Sequence, residues 1–119
     1  MRGPVALDAD RARFFYRNTA DGMSTLWYEN QQWHHQDLGR LDAGNPVADN
    51  LLIESSSGNC FYRTQTEHVA VCYRDGAGAW QQVAIDWNAM PALDGLVLAG
   101  EALYYRGKDS AVHCLRYLP

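Results

Sequence analysis

Apolar and polar residues alternate in short runs along this chain. His68-Val69-Ala70-Val71-Cys72-Tyr73-Arg74 is followed by a glycine-rich turn at Asp75-Gly76-Ala77-Gly78. Trp80-Gln81-Gln82-Val83-Ala84-Ile85 comes next and alternates with the two-residue period of a half-buried strand. Upstream, Leu51-Leu52-Ile53 and Cys60-Phe61-Tyr62-Arg63 are two further strand candidates, separated by the turn residues of 55–59. Together these segments predict four strands in about 45 residues. No segment carries a 3.6-residue apolar period with caps, so the expected fold class is all-β.

The pattern then repeats. An aromatic-Tyr-Arg string occurs as Phe15-Tyr16-Arg17, Phe61-Tyr62-Arg63 and Tyr104-Tyr105-Arg106, at spacings of 46 and 43 residues. Trp33 recurs as Trp80, 47 residues on, and Pro4, Pro46 and Pro91 stand 42 and 45 apart. Residues 45–53 align without a gap on 90–98, with Pro, Asp and three apolar positions in register. The repeats run over 4–45, 46–90 and 91–119, and the third holds three strand candidates, at 96–98, 102–106 and 111–117. A period near 45 with four short strands is that of a β-propeller blade, so one repeat domain of about 2.6 blades is expected. An arc of that size leaves strand edges and blade faces uncovered. Association of copies is expected to complete the ring, and a dimer of about six blades is preferred. A β-sandwich or open barrel using the same strands as a meander is the alternative, and a segment of a longer propeller is a third reading.

Composition narrows the partners. With 47% hydrophobic and 20% charged residues in 119, the chain matches an ordinary globular domain rather than a disordered one. Tyr (7) and Trp (4) outnumber Phe (3), so most aromatic area carries a polar tip suited to half-buried or ligand-facing positions. A net charge of −4 without a basic block makes nucleic acid an unexpected partner. No apolar run approaches the ~20 residues of a membrane helix, and no signal-peptide core is visible at the start. The expectation is therefore a protein without a membrane partner, either cytoplasmic or released without a visible signal peptide. Cys60, Cys72 and Cys114 make an odd set with no zinc or redox spacing, which reads as buried reduced thiols. If the turn between their strands centres near residue 66, Cys60 and Cys72 face each other across a hairpin, and a bridge becomes geometrically possible.

The string Tyr105-Arg106-Gly107-Lys108-Asp109-Ser110-Ala111-Val112-His113, preceded by Leu96-Val97-Leu98-Ala99-Gly100, resembles the repeat of bacterial and fungal β-propeller lectins of the fucose-lectin-like and tectonin-like kind. The resemblance spans nearly the whole chain as a repeat pattern. It implies glycan binding in shallow pockets between adjacent blades, with no catalysis and no cofactor or metal. Fucose-binding members pair an Arg opening the second strand with a Glu on the third and a Trp from the neighbouring blade. Arg13 fits the Arg position, and its equivalents are Asn59 and Ala102. The Glu position falls near Thr25, Ala70 and Cys114, so the carboxylate is absent from every copy.

The candidate carbohydrate-binding residues are therefore Arg13, Arg17, Trp27, Trp33, Arg63, Tyr73, Trp80, Tyr105 and Arg106. Aromatic faces stack on the C–H patches of sugars, and Arg fixes hydroxyls by charge-assisted hydrogen bonds. The competing reading makes the same residues structural: Trp33 and Trp80 as packing at blade joints, and Arg17, Arg63 and Arg106 as partners of Asp8, Asp49 and Asp94. Trp27 and Trp87 lie outside the strict repeat and suit a specific contact or an interface. His34 and His35 are strand neighbours that point to opposite faces, and so cannot serve one metal or one nucleophile. A non-catalytic protein-interaction or structural propeller module is the alternative function. A glycan-active hydrolase is the second alternative, with Asp37, Asp42 or Glu54 as its available carboxylates.

Overall fold

The computed structural model describes residues 5–40, 47–54, 56–85, 91–99 and 102–116. Its strands form three antiparallel meanders, each ordered as in the chain. The first sheet holds β1 (Val5–Asp8), β2 (Arg13–Arg17), β3 (Met23–Glu29) and β4 (Gln32–Gly39), with a 3-10 turn, Ala9–Arg11, between β1 and β2. The middle sheet holds β5 (Val47–Ile53), β6 (Cys60–Thr64), β7 (Val69–Arg74) and β8 (Trp80–Ala84). The third holds β9 (Ala92–Ala99), β10 (Ala102–Gly107) and β11 (Val112–Arg116). The all-β expectation stands, and the described residues contain no α-helix. The strands expected at 51–53 and 96–98 start earlier, at Val47 and Ala92, because each opens on a backbone bond to the preceding sheet.

That bond recurs. The Val47 amide donates to the Asp21 carbonyl at 2.7 Å, and the Ala92 amide to the Glu67 carbonyl at 2.8 Å. Asp21 and Glu67 occupy the same place in two copies of one turn. In all three sheets this turn is closed by the same pair of bonds: Asn18 to Gly22 and Asp21 to Asn18, Thr64 to His68 and Glu67 to Thr64, Gly107 to Ala111 and Ser110 to Gly107. Asp21, Glu67 and Ser110 all take positive φ, at 60°, 70° and 68°. Their spacings, 46 and 43, are those of the aromatic-Tyr-Arg strings, which end one residue before each turn begins. Gly22 is required here, since a Cβ on it would sit 2.8 Å from the Gly39 backbone carbon.

Alternation along each strand sends successive side chains to opposite faces, and the middle sheet uses both. Cys60, Tyr62, Ala70 and Cys72, with Val47 and Leu51, pack against Ala6, Phe15 and Met23 of the first sheet. Phe61, Val69 and Val71 pack the other way, against Ala92, Leu96, Leu103 and Tyr105 of the third. Side chains such as Phe15, Tyr62 and Tyr105 are essentially solvent-free, which stabilises by about 1.5–3 kcal/mol each. The outer sheets each keep one face open: Val5, Leu7, Tyr28 and Trp33 are exposed on the first, and Val97, Tyr104 and Val112 on the third.

The hairpin between β6 and β7 turns at 65–68, and Cys60 stands directly opposite Cys72. Both are free thiols in the core, and burial pushes both far from thiolate formation. Cys114 is also free but exposed, against the expectation that all three are buried, because it sits on the open face of the third sheet.

Candidate functional site

One rim of the junction between the first and middle sheets gathers the polar chemistry. Arg13 opens β2 and lies opposite Trp27 near the end of β3, on the face turned toward the middle sheet. Across the junction, Trp80 opens β8 opposite Arg74, the last residue of β7. The Arg13 guanidinium carbon sits 4.6 Å from the Trp27 ring centroid and 4.7 Å from that of Trp80, so two indoles from two sheets grip one cation. Arg74 lies 5.7 Å from the Trp80 ring, and Phe15 meets that indole edge-on at 5.2 Å. Burial, and next the charge of Arg74, bring the Arg13 pKa down to about 10.

Hydrogen bonds fix the cation from one side only. Arg13 Nη1 donates to Thr25 Oγ1 at 3.1 Å, and that hydroxyl donates to the Phe14 carbonyl at 3.0 Å. The nearby Asp8 is buried and accepts from Arg11 Nη1 at 3.0 Å. Arg11 crosses the junction and donates to the Ser56 carbonyl at 3.1 Å. Gly58, at φ 78°, leaves room for this, because a Cβ there would lie 3.0 Å from the Arg11 side chain. The loop before β6 is braced by Glu54, whose carboxylate accepts from the Ser56 and Ser57 hydroxyls and is thereby held below the usual carboxylate range.

The sequence candidates separate into groups. Arg13, Trp27 and Trp80 converge at this rim. Arg17, Arg63 and Arg106 lie at the far ends of their strands, on the opposite rim. Arg17 does not pair with Asp8, which faces Arg13 in register and is held by Arg11; its Nη1 donates instead to the Ala48 carbonyl at 2.9 Å, and its Nε lies 3.8 Å from Asp21. Arg63 stands opposite Asp49 in register, and Arg106 does pair with Asp94, through bonds of 2.8 and 2.6 Å. Tyr105 is buried and stacks on His113, and Tyr73 lines the junction between the middle and third sheets. Trp33 is 55% exposed and contacts Phe14 and Tyr28 on the open face of the first sheet. His34 and His35 do point to opposite faces, where His34 stacks on Trp27 and His35 on Tyr16. Trp87 and Asp42 lie outside the described residues.

Register also corrects the alignment of the repeats. Phe15 pairs with Thr25 and Phe61 with Val71, so Val71, and not Ala70, is the equivalent of Thr25. Trp27 belongs to the repeat after all, since the same offset of 46 places Tyr73 at its position. Sequence reasoning did not single out Arg11 or Arg74, and the only cue to them was their place beside the turns of this rim. Among the described residues no cluster of His, Cys, Asp or Glu has metal-binding geometry. Among the described residues no helix is long and apolar enough to cross a membrane. No protein-family model matches the chain, and no curated protein matches it.

Proposed function

We propose that the three sheets are consecutive blades of a β-propeller and that the chain is a carbohydrate-binding module with its site at the junction of the first two. The observation that carries the binding reading is Arg13, buried at the rim and clasped between Trp27 of its own sheet and Trp80 of the next. An Arg placed over two indoles is restricted in orientation and presents an N–H edge, and half-buried indole edges supply the apolar wall that sugar C–H groups favour. A glycan array probed with the labelled chain tests this. Binding to a defined set of sugars, lost in Arg13→Ala with the β circular-dichroism signal retained, is the expected result. A chain that binds no glycan overturns the reading.

The blade reading is supported by sheets that follow one another in chain order, with β1 beside β5 and β5 beside β9. A two-layer sandwich would cover one face of each sheet, whereas the middle sheet here is covered on both. The open face of the first sheet corresponds, repeat for repeat, to the middle-sheet face that packs on the first. The open face of the third corresponds to the middle-sheet face that packs on the third. A second copy of the chain presents both, and two copies with three sheets each close a head-to-tail ring of six. Light scattering should therefore give the mass of two chains, and a stable monomer at micromolar concentration overturns this part.

A second reading, a non-catalytic protein-interaction or structural module, draws on the exposed Val5, Leu7, Tyr28 and Trp33 face. A hydrolase draws less support, since two of the carboxylates near this rim are engaged, Asp8 by Arg11 and Glu54 by its two serines.

A further inference from the structure

The Arg13 guanidinium belongs to a largely buried side chain and keeps an N–H edge that no protein acceptor among the described residues takes. It is 6% exposed, yet the one hydrogen bond it makes among the described residues is to a neutral hydroxyl, Thr25. Of the two carboxylates whose charges act on it, Asp8 and Glu29, Asp8 is committed to Arg11. Arg74 adds a second positive charge 5.7 Å from the Trp80 ring. The Trp80 indole nitrogen is likewise a buried donor with no acceptor. A buried donor left unpaired destabilises, and an incoming acceptor relieves that cost. The charges that act on Arg13 are those of Arg74, Asp8, Glu29 and Arg11.

We infer that this site takes an acidic sugar, whose carboxylate closes on the free N–H edge of Arg13 while Arg74 supplies long-range attraction. The inference rests on the carbohydrate-binding reading and fixes its ligand class. A neutral sugar would bond the free N–H edge without adding charge to neutralise it. A carboxylate does both, through charge-assisted bonds about twice as strong as neutral ones. Thr25 fits the same logic: a Glu at that position would neutralise Arg13 internally and suit a neutral ligand, whereas a hydroxyl orients the guanidinium and leaves its charge to the ligand.

The test is calorimetric titration of the chain with methyl glucuronide and methyl glucoside, which differ in the carboxylate, and with the galacto pair beside them. At least one uronide should bind about tenfold or more tightly than its neutral partner, and that margin should shrink in high salt. Arg74→Gln, at an exposed position, should reduce the margin severalfold without loss of fold, and Arg13→Lys should reduce it further. Neutral sugars binding as tightly as uronides would overturn the acidic-ligand inference and leave the carbohydrate reading standing. If neither pair binds and a broad glycan array is blank, the carbohydrate reading falls as well. Acetate binding as tightly as the uronide would reduce the site to a simple anion site and overturn the inference.

Discussion

The two internal junctions share one geometry and differ in chemistry. Between the first and middle sheets, long polar side chains cross the seam: Arg11 to the Ser56 carbonyl, Arg17 to the Ala48 carbonyl, and Gln82 Nε2 to the Leu38 and Gly39 carbonyls at 2.9 Å each. Between the middle and third sheets the seam is mainly apolar, with a Lys108 to Glu67 ion pair at 2.8 Å as its charged link. Where the first junction sets Arg13, Thr25 and Trp27, the second sets Asn59, Val71 and Tyr73, and no described strand of the third sheet supplies a partner for Trp80's place. A repeated backbone can therefore carry one apolar seam and one crossed by polar side chains. The first seam is the one that long polar side chains cross.

Replacing the tryptophans gives the largest separation. Trp80→Ala should destabilise the chain by about 3–5 kcal/mol in urea unfolding, since it empties the space between Phe15 and Arg13. Trp33→Ala, at the matching position of an open face, should cost under about 0.5 kcal/mol in a monomeric chain while weakening self-association. Equal costs would erase the distinction between covered and open faces. Next in size, Leu103→Ala in the apolar seam should cost about 2–5 kcal/mol, and Gln82→Ala in the polar seam about 1–2. A reversal of that order would mean that the polar crossings, and not apolar burial, hold the sheets together. The smallest effect is a pH dependence on the rim opposite the site. Its hydrogen bonds from Arg106 hold Asp94 below the usual carboxylate range. The stabilisation from the pair is therefore present above the ordinary Asp pKa and is lost as pH falls through the lowered one. Carboxyl-carbon NMR should show Asp94 titrating at lower pH in the native chain than in Arg106→Gln, and coincident curves would show an idle pair.

Much of this fold could be read locally. Alternation fixes strands because it is a property of neighbouring residues, and the aromatic-Tyr-Arg strings mark one turn three times because its geometry sits at a constant offset from them. The site was less visible. Arg13 and Trp80 were both candidates, but their meeting is a contact between sheets that no spacing encodes. Trp27 looked non-repeating because its counterpart is Tyr73, so chemical type hid an equivalence that register exposes. The Arg17 to Asp8 pairing failed because β1 runs antiparallel to β2, which sets its last residue against the first of the next strand, and the 3-10 turn then delivers Arg11 to it.

The amide bonds from Val47 to Asp21 and from Ala92 to Glu67 carry a last implication. Each repeat ends its own turn by offering a carbonyl on which the next repeat begins, so the instruction for adding a sheet is written in the sheet before it. Such a chain is a linear array in which any unit answers only to its neighbours. A seam can then change its side-chain chemistry, as the first junction has done around Arg13, without disturbing how the following unit is started.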